Sequence, residues 1–311
     1  MKPPLNQAPI HRGRFAPSPT GPLHFGSLIA AVGSFLEART RGGEWLLRME
    51  DVDRPREVAG AADHILRTLE MLGLQWDGEV LYQSQRTEAY RHALEELRRA
   101  GAVYPCACSR REISKLAEQG PDGAVYPGTC RNGVASGREP KAWRVRVERP
   151  VRYRDRLQGL YYIDLGRRSG DFVVLRADGI FAYQLAVVVD DAEQQINSIV
   201  RGTDLLGSTG RQIHLQRLLG LPTPDYLHLP VAVDARGRKL SKQTHALAVD
   251  AAAGAAVLVP VLRFLGHEPP AELSSGPLAE LWAWALAHWQ VSQVPAVRAL
   301  PASGNPATGL D

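Results

Sequence analysis

Residues 12–16 and 45–49 read as short buried strands. Between them, Gly26 to Arg41 repeats apolar side chains at helical spacing (Leu28, Ile29, Val32, Phe35, Leu36), and Gly42 and Gly43 stop the pattern. A strand that feeds a helix returning to a second strand is the repeating unit of parallel α/β sheets. This unit therefore restricts the fold more than any other feature of the chain. Its connecting turn, RFAPSPTGPLHFGS (Arg14 to Ser27), opens directly into the helix. Glycines there permit close backbone approach, and a helix N-terminus favours an anionic phosphate. His24, at that mouth, can donate to phosphate oxygens.

The pattern continues with helices expected at Ala61–Leu72 and Ser84–Arg99, the second capped by Ser84 and closed by Gly101. From Tyr104 to about Gly170 the character changes to clustered cysteines, Gly/Pro turns and the alternating stretch WRVRVERPVRYRDR. Alternation implies strands with one arginine-rich face. The segment reads as an insertion that splits an α/β domain. Strands are then expected at Phe172–Leu175, at Leu185–Val189 with Asp190 and Asp191 as strand-end acceptors, and at Ile196–Val200. A helix follows from Asp204 to Leu219. Past Ala246 the chain reads as helical to about Trp289 and as frayed beyond Pro295. The organisation expected is thus 1–103, first half of an α/β domain; 104–170, insertion; 171–250, second half; 251–311, a C-terminal helical segment.

A chain of 311 residues with 44% hydrophobic and 23% charged residues is long enough for a large core and has the composition of a globular protein. No apolar run approaches the roughly 18 residues of a membrane span. The opening MKPPLNQAPIHRG has no apolar signal region. A cytoplasmic monomer without membrane association is expected. The net charge is +4, and only five of the 37 basic residues are lysines. Arginine forks suit phosphate and carboxylate, which favours a polyanionic partner.

Three further groups carry chemistry. RKLSKQ (Arg238 to Gln243) is a cationic loop that can neutralise charge on a departing polyphosphate. RMEDVD (Arg48 to Asp53) ends a strand in three carboxylates, one of which could pair an ammonium group. Cys106, Cys108 and Cys130 could hold a metal, with Tyr126, Glu112, Glu118 or Asp122 as the fourth ligand.

RFAPSPTGPLHFGS resembles the HIGH signature of class I aminoacyl-tRNA synthetases in its glutamate and glutamine form. His24 and Gly26 take the signature's first His and its Gly, and Ser27 stands where the second His would be. KLSKQ resembles the KMSKS motif of the same enzymes. The resemblance implies an ATP site of His24, Gly26, Ser27, Lys239, Ser241 and Lys242, with His24, Lys239 and Lys242 catalytic and Lys242 on the ATP phosphates. It implies a glutamate site of Arg14, Phe15, Ala16, Pro17, Ser18, Glu50, Tyr183 and Arg201. The C-x-C and Y-x3-C pattern is similar to the zinc site of the truncated paralogues, the glutamyl-Q tRNA(Asp) synthetases, in which Tyr, here Tyr126, is the fourth ligand.

The implied fold is a Rossmann-like α/β class I catalytic core split by a zinc-binding insertion, with no anticodon-binding domain. The implied activity is tRNA-independent formation of glutamyl-adenylate from L-glutamate and ATP with Mg²⁺, followed by transfer to queuosine in the anticodon of tRNA(Asp). Arg144, Arg146, Arg152, Arg154 and Arg156 are the candidate RNA face. Two alternatives are a glutamyl-tRNA synthetase charging the 3′ end and a non-enzymatic module that kept the fold.

Overall fold

The structure, a computed structural model, describes residues 10–240 and 247–302. Strand β1 (Arg12–Phe15) leads through the first motif into α1 (Phe25–Arg39) and returns as β2 (Glu44–Met49), parallel to β1. Helix α2 (Ala61–Met71), β3 (Leu81–Tyr82) and α3 (Thr87–Arg99) follow. Next come β4 (Val103–Cys106), the short α4 (Arg110–Leu116), and the two-residue strands β5 (Gln119–Gly120) and β6 (Gly123–Ala124). Strands β7 (Ala142–Val145), β8 (Val151–Asp155) and β9 (Gly159–Ile163) precede α5 (Leu165–Arg168) and β10 (Val173–Leu175). Helix α6 (Tyr183–Glu193), β11 (Ser198–Gly202), α7 (Leu206–Leu218), β12 (Asp225–Leu229) and β13 (Val231–Val233) complete the second α/β half. Helices α8 (Ala255–Phe264) and α9 (Leu278–His288) and strand β14 (Ala299–Pro301) come last.

One sheet runs β1-β2-β3 and another β11-β12-β8-β9. They are joined where the Asn197 N–H donates to the Arg12 carbonyl at 3.1 Å and the Arg12 N–H to Asn197 Oδ1 at 2.8 Å. Helix α1 is apolar almost all round, so it lies buried over this junction. Its approach to β12 requires Gly33, because a β-carbon there would fall 2.5 Å from Leu229 Cδ1.

Four local expectations are corrected. Leu185–Val189 is part of helix α6, not a strand. A short apolar run does not distinguish a buried strand from a helix buried on every side, and here Leu185, Ala186, Val187 and Val188 all pack into the second core. Asp190 and Asp191 are consequently buried helix residues rather than strand-end acceptors. Ser84 does not cap α3: its N–H and Oγ both donate to Asp51, at 2.8 and 2.7 Å, and the helix starts at Thr87. Beyond Pro295 the chain forms β14, parallel to β13.

The arginines need a further correction. They do not share one face, because the alternation breaks between β7 and β8. Arg144 is buried in the β10-β7-β4 sheet, Arg146 donates to the Arg131 carbonyl, and Arg156 pairs with Glu37. Arg152 and Arg154 are exposed on β8, opposite Tyr162 and Leu160 of β9.

Candidate active site and metal centre

The two nucleotide motifs meet at the start of α1. His24 is the N-cap, in extended conformation. Its Nδ1 accepts the Ser27 N–H at 3.2 Å, while Ser27 Oγ accepts the His24 N–H at 3.5 Å. Ser27 therefore closes a capping box. With Nδ1 accepting, the neutral ring carries its proton on Nε2, the form that can donate to a phosphate oxygen. A β-carbon on Gly26 would lie 3.1 Å from His24 Cε1 and 3.2 Å from the Leu240 carbonyl, so glycine is what lets the second motif settle against the first. Past that motif, the Val249 N–H donates to the Leu23 carbonyl at 2.9 Å and Ala248 bridges to His24. Lys239 has its Nζ 2.5 Å from Asp204 Oδ2. Ser241 and Lys242 lie outside the described residues.

The adjoining pocket is built on strand ends. Arg14 (β1) and Arg48 (β2) both donate to Asp191 Oδ1 of α6, at 3.0 and 2.7 Å. Phe15 is in the core beside them, and the Pro17 carbonyl of the turn 16–18 accepts the Glu50 N–H at 2.9 Å. Ser18 and Glu50 line one small cleft. Glu50 lies 3.6 Å from Arg48, yet its Oε1 is buried and makes no hydrogen bond among the described residues. Burial pushes its carboxyl up to about 7, against the pull of Arg48 and Arg14. Tyr183, the first residue of α6, is pushed up to about 12 by burial and then by the Glu50 charge, and it also feels Arg201 and Arg14.

Arg201 completes the set. It is 4% exposed, donates from Nε to His228 Nε2 at 3.1 Å and from Nη2 to Thr209 Oγ1 at 2.9 Å, and its Nη1 has no partner among the described residues. Among the described residues no carboxylate pairs with it. A buried guanidinium without a counterion is costly and suits an anionic ligand. Arg201 Nη1 and Glu50 Oε1 are thus two buried atoms, one cationic and one acidic, without a hydrogen bond among the described residues. Sequence reasoning passed over Arg48, His228 and Thr209, and took Asp191 only as a strand-end acceptor. Arg48 stood inside the RMEDVD motif, but only its long-range partner on α6 gives it meaning.

Apart from this pocket, Cys106, Cys108 and Cys130 place their Sγ atoms within 4.8 Å of one another. Cys108 and Cys130 are 3.5 Å apart, and Tyr126 Oη lies 3.4 Å from Cys106 Sγ and 3.6 Å from Cys108 Sγ. Four ligands at Zn–S distances of about 2.3 Å stand roughly 3.5–3.8 Å apart, so this spacing fits a tetrahedral ion. Burial raises the Tyr126 hydroxyl well above its ordinary value, which only a cation or donors could offset. Donors are present: the Cys130 N–H points to Tyr126 Oη at 2.9 Å, and Arg144 donates to Cys106 Sγ at 3.3 Å while lying over the Tyr126 ring. Two of the rival acids are engaged elsewhere, Glu112 with Ser109 and Arg138, and Asp122 with Arg168.

Residues 11–259 match the family model for the catalytic domain of class I tRNA synthetases (E and Q). Fold and site thus define a class I synthetase catalytic domain. A crystal structure of glutamate-tRNA synthetase from Elizabethkingia anophelis shares the fold, with a TM-score of 0.77 at 23% identity over 96% of this chain and 69% of that one. Glutamyl-Q tRNA(Asp) synthetase of Chromobacterium violaceum is 60% identical over 92% of this chain and 96% of its own length. That of Aromatoleum aromaticum is 58% identical over 93% and 91%. The chain belongs to this family of ligases, the glutamyl-Q tRNA(Asp) synthetases. Among the described residues no helix is long and apolar enough to cross a membrane.

Proposed function

We propose that the chain activates L-glutamate with ATP and Mg²⁺, without needing RNA, and transfers the glutamyl group to queuosine in tRNA(Asp). The observation that carries the first half is the buried Arg201 guanidinium, with no carboxylate partner among the described residues, together with the buried unbonded Oε1 of Glu50. Arg14, Arg201 and Glu50 supply the charges that a glutamate, with two carboxylates and one ammonium, lacks. The 14–18 turn and Tyr183 line its bed. A substrate carboxylate oxygen attacks the α-phosphorus of ATP, the bond to the bridging oxygen breaks, and pyrophosphate departs. His24 Nε2, Gly26, Ser27 and the lysines of the second motif, Lys239 and Lys242, hold the phosphates, with Ser241 beside them. Catalysis is mainly positioning and charge neutralisation. An acceptor hydroxyl then attacks the adenylate carbonyl and AMP leaves.

The acceptor rests on the names of the relatives, which are 52–60% identical. The three cysteines and Tyr126 are the proposed ligands of one structural zinc ion. Of the arginine strip, Arg152 and Arg154 remain as RNA contacts. The cytoplasm is the compartment in which its substrates meet. The division into 1–103, 104–170, 171–250 and 251–311 stays as the working description of the chain.

The test is ATP–pyrophosphate exchange with glutamate, with and without tRNA, followed by transfer to queuosine-containing tRNA(Asp) lacking its 3′ adenosine. Exchange without RNA and transfer to the trimmed tRNA are expected. Acceptance that depends on the 3′ adenosine, or that is equal in an unmodified transcript, would restore the ordinary synthetase reading.

A further inference from the structure

Three neighbouring strands line up one buried side chain each. Arg201 on β11 is the register partner of His228 on β12, and β12 pairs with β8 where Tyr226 meets Asp155. Asp155 Oδ2 lies 2.6 Å from His228 Nδ1, and both side chains are fully buried. Asp155 is itself fixed, since its Oδ1 accepts the N–H groups of Leu157 at 3.0 Å and Gln158 at 2.8 Å. On the far side of the ring, His228 Nε2 stands 3.1 Å from Arg201 Nε. A guanidinium has donors only, so Nε2 must accept and the ring proton must sit on Nδ1, pointing at Asp155. Burial holds the His228 pKa down to about 4, which keeps the ring neutral and able to accept. Thr209 Oγ1 takes Nη2, so two of the three guanidinium nitrogens are committed and Nη1 is the one left to a ligand.

We infer that Asp155 and His228 are positioning residues for the amino-acid substrate: they lock the plane of the Arg201 fork so that Nη1 is aimed at a ligand carboxylate. The inference rests on the reading of Arg201 as a glutamate contact. Neither residue touches substrate. Asp155 sets the histidine tautomer, the tautomer sets the acceptor, and the acceptor sets the fork. Hydrogen bonds of this supporting kind fix the orientation of groups that must meet a ligand in one geometry.

The experiment measures glutamate-dependent ATP–pyrophosphate exchange in the full chain, with half-saturation determined separately for glutamate and ATP. Arg201→Lys, His228→Ala, His228→Gln and Asp155→Asn are compared with the unaltered protein, and thermal midpoints are recorded. His228→Ala and Asp155→Asn are expected to raise half-saturating glutamate about tenfold or more while ATP half-saturation stays within about twofold. His228→Gln, which can return a carbonyl acceptor to Arg201 Nε, is expected to recover part of the loss. If His228→Ala does not fold, the isosteric Asp155→Asn decides. Unchanged glutamate half-saturation in both brace variants, or glutamate and ATP values rising together as a purely structural defect would cause, overturns the brace. If Arg201→Lys also leaves half-saturating glutamate unchanged, the glutamate site itself is misassigned. A strong Arg201→Lys effect beside inert brace variants refutes the brace alone.

Discussion

Gly26 and Leu240, separated by more than 200 residues of sequence, meet at backbone distance: a β-carbon on Gly26 would stand 3.2 Å from the Leu240 carbonyl. This contact is where the phosphate-binding turn touches the cationic loop. Gly26→Ala must displace either the His24 ring, 3.1 Å away, or the loop backbone. Exchange is expected to fall about tenfold or more, with the thermal midpoint within a few degrees of the parent. Steady-state exchange kinetics and a melting curve check both parts.

Glu50 predicts a pH dependence. Its carboxyl titrates near 7 in the folded protein, above the ordinary value, because burial outweighs Arg48 and Arg14. A raised acid pKa means that the folded state holds a proton the unfolded state has lost. The contribution of Glu50 to stability is therefore present at low pH and declines as pH rises from about 4.5 through 7. A ligand ammonium needs the ionised form, so glutamate binding should weaken by up to about tenfold per unit as pH falls below 7. Glu50→Gln should flatten that dependence while weakening binding throughout. Half-saturating glutamate between pH 5.5 and 8.5 provides the measurement, and a flat profile in the unaltered protein would remove Glu50 from the ammonium site.

Metal removal should act on stability. Purified protein is expected to carry about one zinc per chain, and chelation to lower its thermal midpoint by several degrees. Tyr126→Phe deletes only the oxygen that lies beside Cys106 and Cys108. It should weaken metal retention by about 10-fold or more, whereas a Glu118→Gln change should not. Full zinc content in Tyr126→Phe would mean a different fourth ligand.

For RNA, the exposed pair separates from the buried one. Arg152→Ala and Arg154→Ala should each weaken tRNA binding and reduce its salt dependence by about one ion, without changing RNA-free exchange. Arg144→Ala should instead loosen the cysteine cluster, since Arg144 holds Cys106 and the Asp171 carbonyl. Binding titrations at several salt concentrations distinguish the two classes.

The parts legible in the sequence were those with a local signature. The β1–α1–β2 unit shows in periodicity, and the three-cysteine cluster shows in its spacing. Helix α6 did not show, because a helix buried all round has no polar stripe and its apolar run copies a strand. Arg48 and His228 were missed, and Asp191 taken only for a strand-end acceptor, for a related reason: each is an ordinary polar residue until a partner more than 25 positions away gives it a charge to meet. The arginine strip misled because alternation was extended across a break in the strand.

The pairing of β13 with β14 carries a consequence for how the molecule is made. β13 is the strand onto which the second motif folds back, the Leu240 N–H donating to the Ala232 carbonyl at 2.8 Å and Lys239 bridging to Val233. Its strand partner is supplied by residues 299–301. Synthesis runs from the N-terminus, so a growing chain can assemble the β1–α1–β2 unit long before that partner exists. The platform beneath the cationic loop is completed only when β14 has left the ribosome, and a chain released before residue 299 carries a first motif with no finished counterpart.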